Sequence, residues 1–232
     1  MACGLLCRAS FWLCVGMRLY VHGAGRSGRQ AWPEQDETQA VFADHSVHSD
    51  MQAKVDAIVE QAPAGPAVVV AHSLGAVVAA LAATADRLAV SHFVLVEPAL
   101  YDLARGEHAI EAHIEAMTTA RKLALEGDLY GYWQIISPLM FEDAASPDRW
   151  VRERVVAERF AALPVPWGHA VTVATFAQTP TLVVTGGWND EYEQIAARLS
   201  AAGAEHLQLP GLGHRPQDHP QFNSLVSSFA HD

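Results

Sequence analysis

The sequence predicts an α/β fold, a mostly parallel sheet flanked by helices, with a helical block inserted before its last strands. Three observations carry this. Short apolar runs alternate with segments of helical spacing along most of the chain. Two of those runs, Ala67-Val68-Val69-Val70-Ala71 and Phe93-Val94-Leu95-Val96, are apolar throughout, as suits parallel strands buried on both faces. The alternation lapses from about residue 100 to 164, where helical signals follow one another.

The elements read in order as follows. Arg18-Leu19-Tyr20-Val21 is a strand, stopped by His22-Gly23-Ala24-Gly25, and a Gly-rich loop runs on through Gly28. Ala40-Val41-Phe42-Ala43 is a second strand. Ser49 reads as the N-cap of a helix from Asp50 to Gln61, with Met51, Val55, Ile58 and Val59 at helical spacing. Pro63 and Pro66 break it ahead of the Ala67–Ala71 strand. Leu74 to Thr84 is an Ala/Val-rich helix, and the Phe93–Val96 strand ends at Glu97-Pro98. Ile110, Ile114, Met117 and Leu125 mark a long amphipathic helix. Ser146-Pro147-Asp148 reads as a cap with proline at the first helical position, leading into Trp150 to Leu163. Thr181–Thr185 is a strand ended by Gly186-Gly187, Glu191 to Ala202 a helix, His206–Leu209 the last strand and Pro220 to Phe229 a closing helix. The core is therefore expected over 17–99 and 165–232, with 100–164 as a helical cap. Tyr130, Tyr132, Trp133, Met140 and Phe141 are the cap's candidates for lining a pocket, against the plainer reading that they pack the cap on itself.

Composition excludes several classes. With 232 residues, 50% hydrophobic and 18% charged, the chain has material for a large core, and disorder is excluded as its main state. A formal net charge of −11 argues against nucleic-acid partners. No apolar run approaches the roughly 18 residues of a membrane span. Cys3, Cys7 and Cys14 all lie in the first fourteen residues. Three thiols cannot pair completely and match no zinc spacing, so a reducing, cytoplasmic setting is expected. Secretion is the secondary reading, because Arg8 interrupts the short apolar run that ends near Met17 and no clear cleavage site follows. Residues 1–16 stand apart as an uncertain N-terminal extension, and Met17 is a candidate natural start.

The chemistry concentrates at Ala71-His72-Ser73-Leu74-Gly75, where a buried strand turns directly into a helix. A tight strand-to-helix turn pushes its middle side chain outward and needs small residues two positions to either side; this is the G-x-S-x-G pattern with Ala at its first position. Ser73 is thereby exposed at the carboxyl end of the sheet as the candidate nucleophile. It needs a base, and the base an orienting acid. His214, after the last strand, and Asp190, in Gly186-Gly187-Trp188-Asn189-Asp190, fit in position and chain order. The backbone N–H groups of Leu74, at a helix start, and Ala24, in the His-Gly loop, are the expected oxyanion donors. His72 is read as structural or pocket-lining, its side chain directed away from Ser73. Asp44, His45, His48 and Asp50 are read as a solvated loop face rather than a metal site. Gly23–Gly28 lacks the acidic partner of a dinucleotide loop.

Together the His-Gly loop, the elbow, the acid after a late strand and the late histidine resemble the α/β-hydrolase superfamily over about residues 17–232. The resemblance implies a Ser73–His214–Asp190 triad under a cap that shapes the substrate pocket. It also implies an alternative acid, Glu97, because some members carry the acid after the strand that precedes the cap. The first strands of the full fold are missing or replaced by residues 1–16. The expected function is a serine hydrolase of small carboxylic esters, needing no cofactor or metal. Lactonase, thioesterase and C–C hydrolase chemistry, or a non-catalytic ligand-binding role on the same fold, are the alternatives. The expected partner is a small ester-like substrate, with no nucleic acid and no membrane; homodimer formation is open.

Overall fold

The computed structural model describes residues 16–141 and 143–231; the three cysteines and most of the apolar run near them lie outside these. The strands are β1 (Arg18–Val21), β2 (Ala40–Ala43), β3 (Ala67–His72), β4 (Val90–Val96), β5 (Thr181–Thr185) and β6 (Glu205–Gln208). The α-helices are α1 (Met51–Gln61), α2 (Leu74–Thr84), α3 (His108–Leu125), α4 (Leu129–Phe141), α5 (Trp150–Ala161), α6 (Asp190–Ala201) and α7 (Phe222–Phe229). One six-stranded sheet runs in the order β2-β1-β3-β4-β5-β6, and every pair in it is parallel.

The strand side chains explain the layers. Along β3, Ala67, Val69 and Ala71 enter one hydrophobic core with α1, α2 and α6, while Val68 and Val70 enter a second with Trp32, Phe222 and Val226. Successive side chains point to opposite faces, so a sheet covered on both sides needs apolar residues at every position, and β3 is buried from end to end.

Three local readings need correcting. Asp50, not Ser49, caps α1: its carboxylate accepts the Ala53 N–H at 2.8 Å, the bond an N-cap makes to the third helical residue. The strand expected from Phe93 begins at Val90. A separate helix, α4, follows α3 and carries Pro138 within it. Helices α3, α4 and α5 share a third cluster built on Ala120, Tyr132, Trp133, Ile136, Ala157 and Phe160. In it the Trp133 indole donates to Glu153 at 2.7 Å. Tyr132 and Trp133 thus pack the helical block on itself, the plainer of their two readings.

Helix α2 is Ala-rich because it lies close on the sheet. A Cβ on Gly75 would stand 2.5 Å from both the Val21 and His22 carbonyl oxygens, and backbone cannot step aside as a flexible side chain can. Gly75→Ala is expected to lose about 3 kcal/mol, the upper part of the usual range for overpacking. At this size that lowers Tm by about 6–12 °C. Thermal melts against Gly65→Ala, where a Cβ meets nothing within 4 Å, check it; equal melting temperatures would refute the close-approach argument.

Candidate active site

The elbow forms as the sequence requires. Ser73 joins β3 to α2 with φ 53° and ψ −123°, a left-handed backbone that costs a non-glycine residue about 1–3 kcal/mol. The surroundings hold it there. Its N–H donates to the Val96 carbonyl at 3.0 Å, and its own carbonyl accepts from Ala76 and Ala99. Although Ser73 occupies the N-cap of α2, its hydroxyl makes no capping bond, which leaves Oγ for other work. Ala71, which departs from the glycine of the pattern, is fully buried between Val21 and Leu95. Gly23 is the residue that permits the His-Gly loop to reach the elbow: a Cβ there would sit 2.9 Å from Ser73 Cβ.

His214 lies in the loop after β6, and its acid partner is Glu97 rather than Asp190. His214 Nδ1 donates to Glu97 Oε2 at 3.3 Å. Glu97 follows β4 with φ 42° and is fully buried. A carboxylate without water needs donors, and it has them: the Gly186 N–H on Oε1, and the Trp188 indole on Oε2 at 2.9 Å. Because a carboxylate only accepts, Nδ1 is the nitrogen that carries the proton of this bond, and Nε2 is the ring atom left to face the cleft. Asp190 is the first residue of α6 and exposed, beside a surface recess it shares with His108 and Trp188. Asn189 caps that helix through the Glu191 N–H, so the chain has already turned into helix where a site loop was expected. An acid at this end also meets the positive pole of the helix, a favourable place for the Asp190 carboxylate.

Two connected spaces adjoin Ser73. A cleft of about 370 Å³ is lined by Ser73, His72, His214, Met140, Phe141 and Phe160, among others. A smaller recess of about 50 Å³ is walled by Ala24, Ser73, Leu74 and Ala99 on the sheet side, and by Met117, Met140 and Phe160 on the other. Met140 and Phe141 therefore line the cleft, the pocket-lining reading open for the aromatic and apolar side chains of 100–164. Ala24 and Leu74 flank Ser73, and neither backbone N–H donates a hydrogen bond among the described residues. Both donors are free to meet an oxygen beside Ser73.

A family model described as the alpha/beta hydrolase family matches residues 9–222. The chain belongs to the alpha/beta hydrolase family. Solved structures repeat the fold at low identity. NosK from Streptomyces actuosus is 21% identical with a TM-score of 0.55, covering 94% of this chain and 100% of its own. The hydrolase olei00960 from Oleispira antarctica is 13% identical at 0.62, covering 94% and 91%. A thermophilic esterase from Thermogutta terrifontis is 19% identical at 0.55, again 94% and 91%. A search of curated protein sequences finds no match.

Around this site stand further polar side chains, of which the sequence reading singled out His72 alone, as structural or pocket-lining. His72 does more than pack: its Nε2 donates to the His214 carbonyl at 2.9 Å, with the two rings 4.6 Å apart. Burial, next to His214 and Arg215, holds the His72 imidazole well below the usual histidine range, so it is a neutral, fixed strut under the His214 loop. Among the described residues no hydrogen bond joins Ser73 Oγ to His214; Tyr192 and Tyr101 line the recess with Ser73, and the Tyr192 ring lies 5.0 Å from that of His214. Tyr101 in turn donates to Glu191 Oε2 at 2.8 Å, and Glu191 Oε1 lies 2.9 Å from His113 Nδ1. Burial, with nearby Glu97 and Glu191, pushes the Tyr192 hydroxyl far above its usual range, so it stays protonated. This polar cluster joins α3, α6 and the segment after β4, so no single stretch of sequence displays it.

His45 corrects another expectation. It is not on a solvated face: it is buried and stacked on His22 with centroids 3.9 Å apart. Its Nε2 donates to the His22 carbonyl at 2.9 Å, and Lys54 Nζ donates to the His45 carbonyl at 3.0 Å. Burial, then the nearby His22 and Lys54, bring the His45 imidazole down to about 3. The stack anchors the start of the His-Gly loop from behind. Among the described residues no helix is long and apolar enough to cross a membrane, and no group of three or more His, Cys, Asp or Glu gathers as a metal site would.

Proposed function

We propose that this chain is a serine hydrolase of small carboxylic esters, with Ser73 as nucleophile, His214 as base and Glu97 as the acid that orients it. One observation carries the reading: a strained serine with an uncapped hydroxyl shares a cleft with a histidine whose Nδ1 is committed to a buried carboxylate. In this reading His214 Nε2 takes the Ser73 proton as Oγ attacks the ester carbonyl. The oxyanion forms against the Ala24 and Leu74 N–H groups, donors of a kind worth roughly 10²–10³ each in rate. His214 then protonates the departing alkoxide, and an acyl-serine remains. A water that gives its proton to His214 attacks the acyl carbonyl, the acid leaves, and Ser73 recovers its proton. The Ser73–His214 bond forms as substrate is bound, since catalytic hydrogen bonds commonly tighten only then. Helices α3 to α5, within 100–164, serve as a cap, because Met140 and Phe160 roof both spaces beside Ser73. The esterase among the structural relatives agrees with this reading, although fold alone never fixes an activity.

A fluorophosphonate probe tests it. Wild-type protein is expected to label, and Ser73→Ala and His214→Ala to abolish labelling while melting as wild type does. A folded wild type that stays unlabelled and turns over no p-nitrophenyl ester would reject the reading in favour of a ligand-binding protein.

A further inference from the structure

The charged side chains that line the spaces beside Ser73 run against the charge of the whole chain, although Glu97 and Glu191 stand behind His214, Tyr101 and His113. The formal net charge is −11, yet among the described residues no Asp or Glu lines the recess, the cleft or the adjoining hollow behind the His-Gly loop. Arginines do. Arg121 lines the recess, and Arg26, Arg159 and Arg215 line the cleft. Elsewhere arginine is mostly paired: Arg29, Arg87, Arg105, Arg149, Arg154 and Arg198 each meet a carboxylate. Arg215 is also neutralised, holding both oxygens of Asp218. Arg26, Arg121 and Arg159 have no carboxylate partner among the described residues, and outside the site only Arg18 and Arg152 share that state.

Arg121 is the informative one. It is half-buried, beside Met117, Met140 and Phe160 in the recess that Ser73 opens onto. Its Nη1 donates to the Leu163 carbonyl at 2.8 Å, the only hydrogen bond it makes among the described residues, although a guanidinium carries five donors. A charge in apolar surroundings is costly unless it is paired. The group that best completes a guanidinium is a carboxylate held by two parallel bonds.

We propose that the hydrolase acts on esters whose acyl part bears a carboxylate, and that Arg121 receives that carboxylate in the recess. Arg26 and Arg159 stand at the mouth and draw the anion in. An apolar cleft lined by one sign of charge focuses the field, and that attraction weakens with salt as the Debye length shrinks to about 8 Å at physiological ionic strength. The proposal rests on Ser73 as nucleophile and adds the substrate class. For a hemiester, Ser73 Oγ bonds the ester carbonyl and the alcohol leaves; water then frees the acyl group as a dicarboxylate.

The test compares two p-nitrophenyl esters of equal chain length, hydrogen glutarate and pentanoate, on the full chain. Wild type is expected to favour the glutarate by about tenfold or more in kcat/KM, the worth of a charge-assisted hydrogen bond, and to lose part of that preference at high salt. Arg121→Gln is expected to collapse the ratio and Arg121→Lys to keep part of it, because lysine retains the charge without the planar fork. Arg152→Gln, an exposed change away from these spaces, leaves the ratio as it was. Should Arg121→Gln fail to fold, free glutarate must still slow fluorophosphonate labelling of wild type more than pentanoate does. Ser73-dependent turnover with no preference for the glutarate would overturn the proposal and leave the hydrolase standing. Loss of the ratio in Arg152→Gln as well would also overturn it. No turnover and no labelling would remove both readings.

Discussion

Glu97→Gln is expected to lower kcat by about 10⁴, the scale seen when a triad acid becomes its amide. Asp190→Asn stays within about threefold, as a surface change does. The difference follows from what each side chain faces. Glu97 is fully buried and meets three donors: the Gly186 N–H, the Trp188 indole and His214 Nδ1. An amide has one oxygen to accept with and an NH₂ that can only donate. If the NH₂ faces His214, the ring must take the tautomer with its proton on Nε2, and it can no longer accept the Ser73 proton. If the NH₂ faces Gly186 instead, two N–H groups oppose each other in a site without water, and the loop that carries Trp188 is pushed away. Asp190, at the exposed start of α6, makes no hydrogen bond or ion pair with His214 or Ser73 among the described residues. Turnover of one p-nitrophenyl ester by both variants separates the two acids, and a large loss in Asp190→Asn with little in Glu97→Gln would return the role to Asp190.

The strands were legible because each carries its own signal. β3 and β4 are buried on both faces, so their apolar runs needed no partner to be recognised, and the Ala71–Gly75 pattern states its own steric rule. The partner of His214 is harder to read, because it depends on where two chain segments meet. Asp190 had the right chain order, yet Asn189 caps α6 and turns the backbone one residue before it. Glu97 does carry a signal: an acid ending a strand whose last residues are buried, just before a proline, must find donors inside the protein. His45 was misplaced for a related reason. Its loop reads as polar, and only the return of the chain from β2 brings its ring onto His22. The Tyr101–His113–Glu191–Tyr192 cluster is assembled from α3, α6 and the segment after β4, and no periodicity within one element points to it. Composition did reveal an acidic chain, but not that its acids avoid the spaces around Ser73.

Ser73→Ala, His214→Ala and the double variant are expected to lose nearly the same activity, each about 10⁵–10⁶ in kcat, rather than losses that multiply. The reason is mechanical. Without the imidazole, Ser73 is a neutral alcohol with no proton acceptor; without the hydroxyl, His214 has nothing to activate but water. Once either is gone, removing the other takes away a partner already idle. Neither substitution disturbs the other parts of the site. Leu74 still opens α2 with a free N–H, and Gly23 still lets the His-Gly loop close on the elbow, which keeps Ala24 in place. In the proposed mechanism those donors stabilise an oxyanion whichever nucleophile creates it. The double variant is therefore expected to retain about 10³–10⁴ over the uncatalysed rate, the residue typical of a site that has lost its triad but kept its binding and oxyanion groups. Initial rates of p-nitrophenyl ester hydrolysis for the three variants and a buffer blank decide it. Losses that multiply would mean that Ser73 and His214 act on separate steps. A double variant no faster than buffer would mean that Ala24 and Leu74 do not hold the oxyanion until His214 is present to order the cleft.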